Sequence, residues 1–149
     1  MTLKHKLYQE CQLFINHRFQ AIQNSITDIQ NGLESETKSS AGDKHETGRA
    51  MLQLEREKAG HQLAEIEKQQ EILQKINLNR TLQNVAFGSL VSTTQFNYFI
   101  AISAGKIIVE NKNYYAISVS TPIAQLLLSK QTGDRIKFRD SRFTIIEIH

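Results

Sequence analysis

Two carboxylates, Asp43 and Glu46, stand three residues apart in a segment of small and polar residues, Ser39–Gly48. If a helix begins near this segment, residues three apart lie on one side of it, and both carboxylates can approach one ion. Carboxylate oxygens are the ligands that hard divalent cations prefer, and a carboxylate can also orient a water molecule. The pair equally resembles a capping box, which only satisfies free N–H groups at the start of a helix. The residues alone leave both interpretations open.

The segments on both sides of this pair carry apolar residues at heptad spacing, which is typical of a seam between two helices. The positions outside the seam are mostly Glu, Lys, Gln and Arg, so we expect them to face water. The predicted seam residues are Tyr8, Ile15, Phe19, Ile22, Ile26, Ile29 and Leu33 in the first arm, and Leu52, Ala59, Leu63, Ile66, Leu73 and Ile76 in the second.

Two proline-free arms separated by a short Ser-, Gly- and Asp-containing segment predict an antiparallel hairpin. At ~1.5 Å per residue, arms of roughly 30 residues reach about 45–50 Å. The alternative is an intermolecular coiled coil with one longer helix, but Gly42 and Gly48 would each cost about 1 kcal/mol relative to Ala in a helix interior. We therefore predict an antiparallel α-helical coiled-coil hairpin over residues 1–83, with an acidic tip at about 37–47.

The composition changes near residue 84, which predicts a second domain over residues 84–149. Lys plus Arg and Asp plus Glu number 11 each before this point, whereas 7 basic residues exceed 4 acidic ones after it. This excess is too small and scattered for a nucleic-acid-binding face, so direct DNA binding is not expected. No apolar run approaches the ~20 residues of a membrane span, and the first residues lack the apolar core of a signal peptide. We expect no membrane association and a cytoplasmic location.

The single cysteine, Cys11, excludes an intrachain disulfide and is predicted to be a small apolar filler near the base of the first arm. The second domain contains no cysteine and no histidine before His149, so it lacks a conventional pair of nucleophile and base. These absences favour a docking module over a small enzyme.

Short apolar runs in the second domain predict six strands, and one segment predicts a short helix. Thr121 is a good N-cap, Pro122 suits the first helical position, and Ile123–Leu128 supply the apolar body. The sequence thus predicts an α+β protein whose second domain is a small antiparallel β domain with one short helix. The predicted strands are 88–91, 98–102, 106–109, 114–119, 135–138 and 143–148.

Two segments resemble the Gre-type transcript cleavage factors of bacterial RNA polymerase, a transcription elongation factor family. Gly42–Glu46 matches the family's Gly-Asp-x-x-Glu hairpin tip. The stretch at 117–134, ISVSTPIAQLLLSKQTGD, resembles its Ile-Ser-x-x-Ser-Pro-(apolar)-(small)-x-x-Leu-Leu-x-Lys-x-x-Gly-Asp stretch and is the more specific match. The order of hairpin, tip and globular domain agrees along the whole chain, and the resemblance implies an FKBP-like fold for the globular domain.

The resemblance also implies a function, in which the chain is not itself an enzyme. In Gre factors the globular domain docks near the mouth of the polymerase secondary channel, which assigns polymerase binding here to Ser120, Thr121 and Pro122. The hairpin passes inward, and its tip carboxylates help to hold a magnesium ion so that the polymerase cuts backtracked RNA. Asp43 and Glu46 are then the catalytic residues and the ligands of a Mg²⁺ shared with the polymerase, absent from the free protein. Contact with the RNA 3′ end is indirect.

The chain departs from the family pattern directly after Glu46. The family continues with Asn-Ala and an acidic residue, whereas here Arg49 replaces the acid, and Lys44 adds a second positive charge. Both lower the negative potential of the tip. Where the family often has an acidic residue before Ser-Pro, this chain has Ser120. An alternative is therefore a Gre-like channel-binding regulator or anti-factor that does not stimulate cleavage.

The same residues argue against two further classes of protein. A peptidyl-prolyl isomerase would need an aromatic-lined pocket, and the chain has no Trp. A structural coiled-coil adaptor would show unbroken heptads through residues 37–50, which are absent. The aromatic residues of the second domain are interpreted as core residues rather than as a base-stacking platform, because aromatics at strand spacing usually pack within a sheet protein; these are Phe96, Tyr98, Phe99, Tyr114 and Tyr115.

Overall fold

The computed structural model describes the whole chain except residues 39–41 and the side chains of residues 36–46. Two long helices, α1 (Leu3–Lys38) and α2 (Gly42–Gln74), come first. The contacts between them show that they run antiparallel, since residues later in α1 contact residues earlier in α2. Arg18 Nη1 donates to Gln69 Oε1 at 3.3 Å, and Arg49 Nη1 donates to the Leu33 carbonyl oxygen at 3.3 Å. The predicted antiparallel hairpin is confirmed.

The chain divides into two compact units. One is Ile15–Gln70, which contains most of the hairpin. The other combines Met1–Phe14 with Glu71–His149, so the base of the hairpin belongs to the same unit as the sheet. The domain boundary at residue 84 follows the change in composition and stays a prediction.

Within Ile15–Gln70, alternating spacings of three and four residues bury the predicted seam. The helices approach closely at Gly32, where a Cβ atom would lie 3.2 Å from Leu52 Cδ1. A side chain there would require Leu52 to shift by a few tenths of an ångström. The buried seam residues are Ile15, Ile22, Ile26, Ala59 and Ile66, and the half-buried ones are Phe19, Ile29, Leu33, Leu52 and Leu63.

At the base of the hairpin, the predicted seam is wrong by one position. Leu7 and Cys11 are fully buried, whereas Tyr8 is only half-buried. Leu7, Cys11 and Ile15 follow a four-residue spacing, because an α-helix of 3.6 residues per turn drifts away from a strict seven-residue repeat. Cys11 is confirmed as an apolar filler: burial, aided by the carboxylate of Glu10, raises the pKa of its thiol to about 12.

The rest of the chain forms a six-stranded sheet in the order β3-β4-β2-β1-β6-β5. Four neighbouring pairs are antiparallel, but β2 and β4 pair in parallel, with Phe99 opposite Ala116. The fold class is therefore confirmed as α+β with a mostly antiparallel sheet. The strands are β1 (Leu90–Thr93), β2 (Asn97–Ala101), β3 (Gly105–Val109), β4 (Lys112–Ser118), β5 (Arg135–Phe138) and β6 (Ser141–Ile148).

The one short helix of this unit, α3 (Pro122–Leu127), follows β4 as predicted. Its buried face, Ala124 and Leu127, packs into the apolar core formed by the sheet. Core partners include Val91, Ile100 and Phe143. Within the described part of the chain, no helix is both long and apolar enough to cross a membrane.

Candidate functional site

The predicted polymerase-binding residues form the turn between β4 and α3. Thr121 has the extended backbone expected of an N-cap, with φ −72° and ψ 149°. Its Oγ1 accepts a hydrogen bond from the Ala124 amide at 3.4 Å and donates one to the Ser118 carbonyl at 2.8 Å. The Thr121 amide also donates to Ser118 O, at 3.2 Å. Thr121 therefore fixes the turn from both sides.

Two further hydrogen bonds tie the turn to its neighbours. The hydroxyl groups of Ser118 and Ser120 lie 2.9 Å apart, and Gln125 Nε2 donates to the Val119 carbonyl oxygen. Pro122, at the start of α3, has a fixed φ and no amide hydrogen that would need a partner. The turn is thus rigid before any partner binds, which lowers the entropy that binding would cost.

The exposed side of this turn is apolar as well as polar. Ser120 and Pro122 are exposed. Leu126 lies four residues after Pro122 on the same helical face and is 39% exposed, and Val119 is 36% exposed. We call Val119, Ser120, Pro122 and Leu126 the Ser-Pro surface. Thr121 supports this surface, since its hydroxyl group is occupied within the turn.

Sequence reasoning missed Val119 and Leu126. The signal that was available is the spacing of Pro122 and Leu126, because Ala124 and Leu127 occupy the buried face of a helix only six residues long. An apolar residue on the opposite face of such a helix must meet water.

The remainder of the 117–134 stretch is structural. Gly133 has φ +94°, a conformation that side chains rarely adopt, and its amide donates to Ile145 O at 2.8 Å. Asp134 Oδ2 accepts from the Gln131 amide at 2.8 Å, and the Asp134 carbonyl accepts from the Ile145 amide at 3.0 Å. These contacts join the segment after α3 to β6. The Gly-Asp pair therefore shapes the fold, whereas the Ser-Pro turn presents a surface.

The side chains of the predicted tip carboxylates, Asp43 and Glu46, lie outside the described residues. Their backbone lies at the start of α2, which begins at Gly42. Both positions are therefore helical and three apart. Two carboxylates alone are too few for a complete magnesium site.

Arg49, which the sequence analysis treated only as a charge, has a structural contact. Its guanidinium donates to the Leu33 carbonyl of α1 and so links the two helices near the tip. Among the described residues, no group of three or more His, Cys, Asp or Glu side chains is placed to hold a metal ion.

The aromatic residues of the sheet unit divide into two groups. Tyr98, Phe99 and Tyr114 are buried, as the core interpretation predicted, but Phe96 is 47% exposed. Its ring packs edge-on against Tyr115, with the centroids 5.4 Å apart. Phe96 is therefore an exposed edge residue, and for this residue the core interpretation was wrong.

No family model and no curated protein matches the chain. Among solved structures, one described as the transcription factor Gfh1 is similar over 89% of this chain and 93% of that chain, with 16% identity and a TM-score of 0.35. The identity and the TM-score are too low for this likeness to assign a function.

Proposed function

We propose that this chain is an RNA polymerase-binding transcription factor that inserts its helical hairpin into the secondary channel and stimulates cleavage of backtracked RNA. The observation that carries the proposal is the Gre-like stretch at 117–134, in which the Thr121 cap and Pro122 hold an exposed turn in a rigid conformation. A rigid, partly apolar surface of this kind suits protein docking. The antiparallel hairpin and the Gly-Asp-x-x-Glu sequence at its reversal agree with the same proposal.

Docking is assigned to the Ser-Pro surface. Pro122 and Leu126 supply apolar contact area on one face of α3, and Ser120 supplies a hydroxyl group beside it. Interface energy is concentrated in a few such residues, so a single disruptive change at the centre should weaken binding by tenfold or more. The partner is bacterial RNA polymerase, as the resemblance implies.

The chemistry is assigned to Asp43 and Glu46. Magnesium bound in the polymerase complex would supply Lewis-acid stabilisation of the phosphodiester during hydrolysis. The two carboxylates would serve as oxygen ligands, and one of them would orient the attacking water. The chain itself is not an enzyme in this proposal, and its contact with the RNA 3′ end is indirect.

The alternative is a channel-binding regulator without cleavage-stimulating activity, and Arg49 is the observation that favours it. Its contact with Leu33 O holds a positive charge in the hairpin, three residues after Glu46 along α2. A positive charge at the tip would lower its affinity for a metal ion. Docking is common to both functions, so only the tip distinguishes them.

The docking assignment is tested with the full-length chain, because Met1–Phe14 belongs to the same compact unit as the sheet and a fragment starting at residue 84 would lack it. Leu126→Asp should weaken binding to core polymerase at least tenfold. Ile108→Asp is a matched control, since Ile108 is an apolar side chain 63% exposed on β3. If both variants bind polymerase equally well, the Ser-Pro surface is not the docking site.

The chemical assignment is tested by cleavage of RNA in a stalled complex. Asp43→Ala and Glu46→Ala should each lower stimulated cleavage by about two orders of magnitude or more while polymerase binding is unchanged, because several kcal/mol of transition-state stabilisation is lost. Glu57→Ala, at an exposed position of α2, is the control. A wild-type chain that binds polymerase but does not stimulate cleavage at any magnesium concentration would establish the alternative.

Substitutions of Arg49 distinguish the effect of its charge on the tip from the effect of its contact with Leu33 O. Arg49→Gln removes the charge but is too short to keep the contact with Leu33 O, whereas Arg49→Lys keeps the charge. Cleavage should rise in Arg49→Gln and not in Arg49→Lys if the charge weakens metal binding. Arg49→Glu reverses the charge but loses the same contact and should destabilise the hairpin as well. Lower cleavage by Arg49→Gln would show that the charge assists the tip.

A further inference from the structure

Lys4 is a buried cation without a carboxylate partner. Its side chain is only 7% exposed, although lysine is almost never buried unless paired. Nζ donates to the Arg80 carbonyl oxygen at 3.2 Å, which uses one of three donors, and no other partner is found among the described residues. Burial accordingly lowers the pKa of Lys4. Desolvating an ammonium group is costly, so an anion beside it would be strongly favoured.

Two cavities meet Lys4, and both lie in the compact unit that contains the sheet. The larger, of about 320 Å³, is also lined by Thr2, Arg80, Thr81 and His149. The smaller, of about 200 Å³, shares Lys4 and Arg80 and adds Lys75. No carboxylate side chain lines either cavity in the part of the chain that the structure describes.

Two acidic groups of the same compact unit are already paired. Glu147 contacts the imidazole of His149, with 2.9 Å between Oε1 and Nε2. Glu110 forms an ion pair with Lys6, which lowers the pKa of the carboxyl group. Lys4 and Arg80 are thus left with positive charge that these carboxylates do not neutralise.

The start of α1 adds to this positive potential. Thr2 caps the helix, since its Oγ1 accepts from the His5 amide at 3.2 Å, and Thr2, Leu3 and Lys4 all line the larger cavity. The first turn contains no acidic residue to offset the helix dipole. Helix N-termini bind anions through exposed amides and the dipole, and here the buried Lys4 lines the same cavity.

We propose that this cavity binds a small phosphate-class anion, such as inorganic phosphate, pyrophosphate or the terminal phosphate of a phosphomonoester. Lys4 supplies a buried point charge from the inner wall. Arg80 supplies a planar guanidinium that matches two phosphate oxygens at once. The hydroxyl group of Thr81 and the start of α1 supply further donors. This site is independent of the proposed action on polymerase, because it requires neither the tip nor the Ser-Pro surface.

The test is calorimetric titration of the full chain with inorganic phosphate and with pyrophosphate, at an ionic strength held constant with sodium chloride. We expect saturable binding, and at ten times Kd the melting temperature should rise by about 3–6 °C. Sodium acetate at the same ionic strength is the comparison anion. An equal rise with acetate would show a general salt effect and overturn the proposal, as would the absence of saturable heat with both phosphates.

Variants assign the site. Lys4→Met and Arg80→Gln should each weaken binding at least tenfold, whereas Lys106→Met, which removes an exposed lysine from β3, should change it less than twofold. Lys4→Met should also melt at or above the wild-type temperature without anion, because it removes an uncompensated buried charge. Since Arg80 is exposed, Arg80→Gln decides alone if Lys4→Met does not fold. Binding by Arg80→Gln equal to wild type would refute the site.

Discussion

The hydroxyl group of Thr121 should contribute measurably to stability, and Thr121→Val isolates it because valine keeps the shape and suits the extended backbone at this position. The substitution removes an N-cap, which costs about 1 kcal/mol. It also removes the hydrogen bond to Ser118 O, which contributes about 1 kcal/mol net. The carbonyl of Ser118 still accepts from the Thr121 amide at 3.2 Å, so no buried acceptor is left unpaired. Because the 3.4 Å hydrogen bond from the Ala124 amide is long and therefore weak, the expected loss of unfolding free energy is about 1.5–2 kcal/mol in total.

This loss should appear as a lower melting temperature of the full-length chain. For a chain of about 150 residues, each kcal/mol shifts the midpoint by roughly 2–4 °C, so a decrease of about 3–8 °C is expected. Near-ultraviolet circular dichroism is the suitable signal, because the tyrosines lie in the sheet unit. Binding to core polymerase should weaken in parallel, since the Ser-Pro surface loses its support.

Thr121→Ser is the matched control because it keeps the hydroxyl group and removes only the methyl group. It should retain most of the stability and polymerase binding. If Thr121→Ser is as unstable as Thr121→Val, the methyl group matters and the capping argument is wrong. If Thr121→Val melts with wild type, the hydroxyl group contributes nothing to the turn.

Three further predictions concern the hairpin and the sheet. Ile22→Asp should lower the helicity and the melting temperature, with a loss of about 2–4 kcal/mol in unfolding free energy, because it places a charge at a seam position only 9% exposed. Asn16→Asp, on the exposed side of α1, is the control. If both variants melt at the same temperature, Ile22 is not in the seam. Burial raises the pKa of Cys11 in the folded chain from 9.0 to about 12, so the stability that the thiol contributes is complete below pH ~9 and is lost as the pH rises towards 12. The difference in unfolding free energy between wild type and Cys11→Ala should therefore shrink as the pH rises from about 9 to about 12. A constant difference would contradict the burial of the thiol. Lys137 and Arg142 are directly opposite on β5 and β6, so Lys137→Glu should stabilise the chain by about 0.2–1 kcal/mol at low salt and less at 1 M salt. The stability of the uncharged variant Lys137→Gln should lie between that of wild type and that of Lys137→Glu. A Lys137→Glu variant less stable than wild type would show that the like charges do not repel.

The sequence by itself determined the features that depend on neighbouring residues. Heptad spacing predicted both helices and most of the seam, because residues three and four apart share a helix face whatever packs against it. Thr121 and Pro122 predicted the start of α3 correctly, since the capping hydrogen bond and the fixed φ of proline act within one turn. The six strands followed from short apolar runs bounded by turn residues. The Gly-Asp-x-x-Glu segment and the Ser-Thr-Pro turn were also visible in the sequence.

Only the tertiary structure decided the features that depend on residues distant in sequence. Parallel pairing of β2 with β4 does not follow from the apolar pattern of either strand, because the same pattern suits both pairing directions. The burial of Lys4 depends on the Arg80 carbonyl 76 residues away, and the contact of Arg49 depends on where α1 lies across the hairpin. Composition gives the number of charged residues but not which of them become buried, because burial depends on contacts that form when the chain folds.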